Sequence, residues 1–139
     1  MTGEAETRRE TIRRLFAAIS AGDFDAALAL YSDDEPTYSF PRALGVDPCV
    51  GKPAIRRLYE QMSARFTRPL AFVPRHIVVE GGLGVIEWEH SATTRAGNHY
   101  TNDGVHVVEF APDGRIRHVR AYLDSAPILR LNQRERGTP

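Results

Sequence analysis

The stretch that decides the fold is residues 84–124, GVIEWEHSATTRAGNHYTNDGVHVVEFAPDGRIRHVRAYLD. Apolar and polar side chains alternate along it with a period of two, which is typical of strands that bury one face. Two turn sequences, Ala-Gly-Asn at 96–98 and Pro-Asp-Gly at 112–114, interrupt the alternation, and their Gly and Asn residues tolerate positive φ. The pattern therefore predicts three consecutive antiparallel strands, at 84–94, 99–110 and 115–124.

The central predicted strand carries the first candidate site. Asn102 and His106 are four residues apart, so in a regular strand their side chains project from the same face. Gly104 lies between them and is expected to leave open space above the backbone. A polar pair beside such a space indicates a ligand site. Asp103 is in the opposite phase and is expected to face away from this pair, unless a bulge at Gly104 turns it.

Helices are predicted before this meander. Ile12, Leu15, Phe16 and Ile19 share one helical face, and Gly22 follows as a C-terminal stop.

Further along, Asp23 is a suitable N-cap for a short second helix, and Pro53 suits the first turn of a third. One more strand is predicted at 70–80.

Helices followed by a meander indicate an α+β fold, with three N-terminal helices packed on a strongly curved antiparallel sheet that encloses a cone-shaped pocket, as in a cystatin-like roll. We expect a single domain over residues 1–139, with a core at about 8–128 and a frayed tail at 132–139.

Composition excludes several classes of partner. The chain has 18 basic and 18 acidic residues, so no net charge would attract nucleic acid or an anionic membrane. No apolar run approaches the ~20 residues that cross a bilayer, and we expect a cytoplasmic protein. The single Cys49 cannot form an internal disulfide. None of the five histidines has a metal-type spacing with a Glu, so we expect no metal and no cofactor.

Four short motifs, in this order, carry a resemblance to a known family: Ala-Gly-Asp-Phe at 21–24 leading to Ala-Leu-Tyr-Ser-Asp-Asp at 29–34, Gly-Lys-Pro-Ala-Ile at 51–55, Asp-Gly-Arg-Ile at 113–116, and Val-Arg-Ala-Tyr-Leu-Asp at 119–124. Over about residues 8–128 the chain resembles the nuclear transport factor 2-like (NTF2-like) superfamily, in its SnoaL-like and ketosteroid-isomerase-like branch. The resemblance implies a cone-shaped pocket, a homodimer packed through the outer sheet face, and either acid–base chemistry on a small apolar molecule or binding of one.

The catalytic groups of these relatives do not carry over. The resemblance places the aspartate base of the ketosteroid isomerases at Ser39 or Phe40, and their tyrosine donor at Leu15 or Phe16. The final-strand aspartate of the limonene-epoxide hydrolases corresponds to Ala121. None of these side chains can remove a proton from a substrate or from water.

Other groups could substitute for the missing ones. His106 has an intrinsic pKa of about 6.5, and burial would keep it neutral and available as a catalytic acid–base group, with Asn102 holding a substrate oxygen. The alternative is a structural histidine that is hydrogen-bonded across the sheet. The remaining side chains that we expect to bind ligand are Tyr31, Tyr38, Trp88, His90, Tyr122 and Asp124.

Two of these have simple structural alternatives. Trp88 shares a face with His90 and can belong to the core, and Asp124 can cap the turn that follows it.

The sequence therefore leaves two hypotheses. The first is a cofactor-independent cyclase, isomerase, dehydratase or epoxide-opening enzyme acting on a small apolar, polyketide-like molecule, and the polar residues on the sheet favour it. The second is a non-catalytic binding module, which the missing carboxylates favour.

Overall fold

The structure is a computed structural model and describes residues 2–67 and 70–136. Its helices are α1 (Thr2–Ala21), α2 (Phe24–Ala29), α3 (Lys52–Arg65) and α4 (Ser125–Arg136), with a short 3-10 turn at Arg42–Leu44. Its strands are β1 (Thr37–Ser39), β2 (Cys49–Val50), β3 (Phe72–Glu80), β4 (Leu83–Thr93), β5 (His99–Phe110) and β6 (Ile116–Leu123).

The strands form one curved, unclosed six-stranded sheet in the order β2-β1-β6-β5-β4-β3. Strands β3 to β6 form the predicted antiparallel meander, because each follows its neighbour through a tight turn. The short β1 pairs parallel to β6, so the sheet is mixed. The α+β fold predicted from the sequence is confirmed.

Helix α1 covers the inner face of the sheet. Its predicted stripe of Ile12, Leu15, Phe16 and Ile19 is buried, and the helix packs on β3 and β4. Gly22 follows it with φ of 73°, the left-handed conformation that ends a helix.

The second and third helices begin where the sequence predicts. The Asp23 carboxylate accepts a hydrogen bond from the Ala26 N–H at 3.1 Å and caps α2. Pro53 lies in the first turn of α3. A backbone N–H at this position would have no partner within the helix, so its absence in proline costs no hydrogen bond. Helix α3 contacts α2 and the edge strand β2.

The C-terminal segment corrects one prediction. Residues 132–136, expected to be frayed, are the last turns of α4, whereas residues 137–139 lie outside the described residues. The reason is burial of Leu131, which packs in a small core cluster with Phe66 and Tyr100. Leu131, directly before the predicted tail, anchors this helix against the rest of the fold.

Polar contacts hold the end of α4 in place. The Glu135 carboxylate accepts hydrogen bonds from the Thr94 hydroxyl at 2.6 Å and the Asn98 amide at 2.8 Å, both at the β4–β5 turn. Arg65, at the end of α3, donates to the side-chain Oδ1 of Asn132 at 2.6 Å. Helix α4 is thus joined to two separate parts of the fold.

Candidate functional site

A cavity of about 150 Å³ lies between the inner face of the sheet, α3 and α4. Six aromatic residues line it: Tyr38, Phe40, Phe66, Phe72, Trp88 and Tyr100. Two histidines, His90 and His106, complete the ring-bearing wall. The aliphatic lining consists of Leu44, Met62, Ala121, Leu123 and Ile128.

His106 is the centre of a buried chain of hydrogen bonds. The Trp88 indole N–H donates to His106 Nδ1 at 2.7 Å. On the other side of the ring, His106 Nε2 and the Tyr38 hydroxyl are 2.7 Å apart. All three side chains are buried, so both ring nitrogens of His106 have partners inside the protein.

Burial controls the protonation of His106. With no neighbouring carboxylate to compensate for desolvation, the pKa of His106 falls from 6.5 to about 3. Burial also raises the pKa of Tyr38 well above 10. At neutral pH both groups are therefore uncharged.

His90 is enclosed by aromatic rings. Phe72 stacks on it with ring centroids 3.9 Å apart, and Phe66 and Tyr100 meet it edge-on. Desolvation lowers the pKa of His90 to about 4, although an interaction with the Leu70 backbone partly opposes the shift. His90 Nε2 has no hydrogen-bond partner within the described part of the chain.

Asn102 is buried on the same face as His106, but its contacts differ from those predicted. Its amide nitrogen donates to the Tyr100 hydroxyl at 2.7 Å and to the backbone carbonyl of Asp124 at 2.9 Å. Asn102 is not part of the cavity lining, whereas Tyr100 is. The amide therefore orients a cavity residue and fixes the start of α4.

The space predicted above Gly104 is filled. A Cβ built at this position would lie 2.3 Å from Trp88 Cζ2 and 2.8 Å from the Tyr122 carbonyl oxygen. The indole of Trp88 occupies the space that the sequence suggested for a ligand. Gly104 thus allows the tryptophan to lie flat across β5, with its N–H directed at His106.

Three further predicted ligand residues lie away from the cavity lining. Tyr31 is buried and its hydroxyl forms a 2.6 Å hydrogen bond with the Tyr59 hydroxyl. Tyr122 is on the outer face and half exposed. Asp124 accepts from the Ala126 N–H at 3.0 Å, which is the turn-capping alternative. Asp103 also faces outward, as its phase predicts, and lies 3.6 Å from Arg75.

Tyr100 and the phenylalanines of the cavity were missed by sequence reasoning. Tyr100 could have been found, because it continues the alternation of Asn102 and His106 along β5. Phe66 and Phe72 could not, because Phe66 follows the end of α3 and Phe72 begins β3, and their meeting in the cavity depends on tertiary packing. Helix α4, which adds Ile128 to the wall, was itself not predicted.

Across residues 2–67 and 70–136, no group of three or more His, Cys, Asp or Glu side chains is arranged to hold a metal ion. In the same residues, no helix is long and apolar enough to cross a bilayer.

The sequence matches the SnoaL-like domain over residues 12–119, well over half of its length. The chain belongs to the SnoaL-like family. This confirms the predicted NTF2-like superfamily. No curated protein matches this SnoaL-like chain.

Solved structures share the fold of this SnoaL-like domain at low sequence identity. An NTF2-like protein of unknown function from Burkholderia pseudomallei is 19% identical, with a TM-score of 0.80 over 90% of this chain and 96% of that one. TerC, co-crystallized with polyporic acid, is also 19% identical, with a TM-score of 0.80 over 90% and 97%. An LEH-like epoxide hydrolase of Mycobacterium tuberculosis is 20% identical, with a TM-score of 0.74 over 91% and 90%.

This chain has Ala121 at the position where the resemblance to the limonene-epoxide hydrolases places a catalytic aspartate. Ala121 on β6 lies directly opposite His106 on β5 and lines the cavity. None of the described lining residues is charged at neutral pH. The cavity is therefore suited to an uncharged, largely apolar molecule.

Proposed function

We propose that this SnoaL-like protein binds a small apolar organic molecule in the aromatic cavity. The observation that supports this most strongly is the composition of the wall, in which aromatic and aliphatic side chains surround a few buried polar atoms, those of the Tyr38–His106 pair, His90 and Tyr100. Apolar walls provide the affinity, and a few fixed polar atoms orient the ligand. No cofactor is required for this function.

Cofactor-independent acid–base catalysis on the bound molecule is the second candidate. It would be of the cyclase, isomerase, dehydratase or epoxide-opening type proposed from the sequence. The contact between His106 and Tyr38 supports it, because a hydroxyl held by a neutral imidazole can stabilise developing negative charge on a substrate oxygen. Asn102 would contribute by positioning Tyr100. Binding is favoured over catalysis because Trp88 occupies the His106 lone pair that a general base would use.

Filling the cavity tests binding. We expect Ala121→Leu to fold and to lose most of its affinity for cavity ligands, because Ala121 is 1% exposed and the added atoms would occupy the cavity. Ala17→Leu, an equal change at an exposed position of α1, should retain wild-type affinity. Calorimetry with small cyclic ketones, phenols and epoxides provides the measurement. Equal affinity in the two variants would show that binding occurs elsewhere.

The same panel separates the two functions. A binding module returns the compound unchanged, whereas an enzyme converts many molecules per chain, as mass spectrometry of the mixture would show. Sustained conversion that Ala121→Leu abolishes would establish the catalytic alternative.

A homodimer through the outer sheet face is part of the proposal. Val78, Val85 and Val107 are aligned across β3, β4 and β5 on that face, and Val78 is 63% exposed. An apolar row of this kind is more stable when covered by a second copy. Light scattering is expected to give twice the mass of the chain, and a single-chain mass at micromolar concentration would contradict the dimer.

A further inference from the structure

We infer that the ligand is a molecule of about one ring in size that carries an accepting oxygen, such as an aryl or cyclic ketone, and that the Tyr38 O–H donates to that oxygen. This inference rests on the proposed binding function. It adds the direction of one hydrogen bond and a limit on size, each from a different observation.

The direction of the hydrogen bonds follows from the chemistry of the donors. An indole N–H can only donate, so the bond from Trp88 requires an unprotonated Nδ1 on His106. A neutral imidazole with a bare Nδ1 carries its hydrogen on Nε2. The Nε2–H must then be the donor in the 2.7 Å contact with Tyr38, and the tyrosine oxygen the acceptor.

Tyr38 therefore keeps its own hydrogen for another partner. Among residues 2–67 and 70–136, its hydroxyl has no hydrogen-bond partner other than His106. Tyr38 and His106 both line the cavity, so the available acceptor is a molecule held there. Because burial raises the pKa of Tyr38, the hydroxyl remains protonated and able to donate.

The size of the cavity sets the other limit. Its volume of about 150 Å³ is similar to that of an engineered apolar cavity that binds benzene. Sites for drug-sized ligands are roughly 300–1,000 Å³. One ring with a short substituent fits the walls as they stand, and a fused polycyclic molecule does not.

A matched pair of probes tests the hydrogen bond. Acetophenone and α-methylstyrene have nearly the same shape, but only the former has an accepting oxygen. Tyr38→Phe is expected to weaken acetophenone binding by roughly tenfold, while α-methylstyrene binding stays within about twofold of wild type. Tyr59→Phe removes another buried tyrosine hydroxyl and should change neither affinity, since Tyr59 is not part of the lining. Binding of unmodified protein can be followed through Trp88, the only tryptophan.

The infrared carbonyl stretch of bound acetophenone provides a second measurement. It is expected at lower frequency in wild type than in Tyr38→Phe. Equal stretches in the two proteins, or equal losses of affinity for both probes, would overturn the donor role of Tyr38.

Nitrogen NMR of the unliganded protein tests the proposed directions of the Trp88–His106 and His106–Tyr38 hydrogen bonds. The expected result is a His106 ring with a protonated Nε2 and an unprotonated Nδ1, and the opposite tautomer would overturn the inference. If larger ligands bind and Ala121→Leu weakens their binding, but neither probe binds, the size limit is wrong and the proposed function stands. If no compound is sensitive to Ala121→Leu, the proposed function itself fails.

Discussion

Gly104→Ala is expected to destabilise the protein by about 1–3 kcal/mol, the usual cost of overpacking a filled core. The new methyl group would lie 2.3 Å from the Trp88 ring, and the Tyr122 carbonyl oxygen at 2.8 Å belongs to the adjacent strand and cannot easily move aside. The indole must therefore shift, and its 2.7 Å hydrogen bond to His106 would be lost with it. Urea denaturation measures the destabilisation, and Trp88 fluorescence reports the displacement.

Gly82→Ala is the matched control. Gly82 lies in the β3–β4 turn at a φ that other residues adopt, and its nearest contact to an added Cβ is 3.8 Å away. Its stability should stay within about 0.5 kcal/mol of wild type. If Gly104→Ala were equally stable and kept its fluorescence, the close packing of Trp88 on β5 would be wrong.

Acidification below pH 6.5 is expected to destabilise the protein progressively, because His106 and His90 are buried in their neutral form. The folded-state pKa values of His106 and His90, about 3 and about 4, lie below the unfolded value of 6.5. As the pH falls below 6.5, the unfolded chain takes up protons that the folded chain does not. Stability is therefore complete above pH 6.5 and falls as the pH approaches 4, by roughly 3 kcal/mol for each histidine.

The variant His106→Gln tests whether the buried histidines cause this loss of stability. Between pH 6.5 and 4, the free energy of unfolding of the wild type should fall by up to about 1.4 kcal/mol per pH unit for each buried histidine. His106→Gln is expected to remove roughly half of that slope. His99→Gln, the same change at an exposed position at the start of β5, is the matched control. An identical slope in His106→Gln and wild type would mean that His106 is not buried in its neutral form.

Much of the fold could be predicted from local patterns. Alternation over residues 99–110 gave the bounds of β5, and the spacing from Ile12 to Ile19 gave the buried face of α1. These signals are strong because each element buries one face along its whole length. Helix α4 was missed because Leu131 is its one residue in the fully buried class, and its remaining contacts are polar and distant in sequence.

The site was predicted only in part. The alternation placed Trp88, His90 and His106 on the inner face correctly, because strand phase determines the face. It could not show that Asn102 turns toward Tyr100, or that Trp88 covers Gly104, because both depend on side-chain packing across strands. The central contact between Tyr38 and His106 joins residues 68 positions apart. The parallel pairing of β1 with β6, which no local pattern predicts, is what brings them together.

Helix α4 gives the cavity a kinetic property. Ile128 belongs to its wall, while Glu135 at the other end of the same helix is attached to the β4–β5 turn. Loosening the Glu135 attachment is expected to free α4 and so to speed both entry and exit of a molecule in the cavity, without changing the contacts that set its affinity. Residence time and affinity can therefore evolve separately, with changes at the Glu135 attachment altering the first and changes at Tyr38 altering the second.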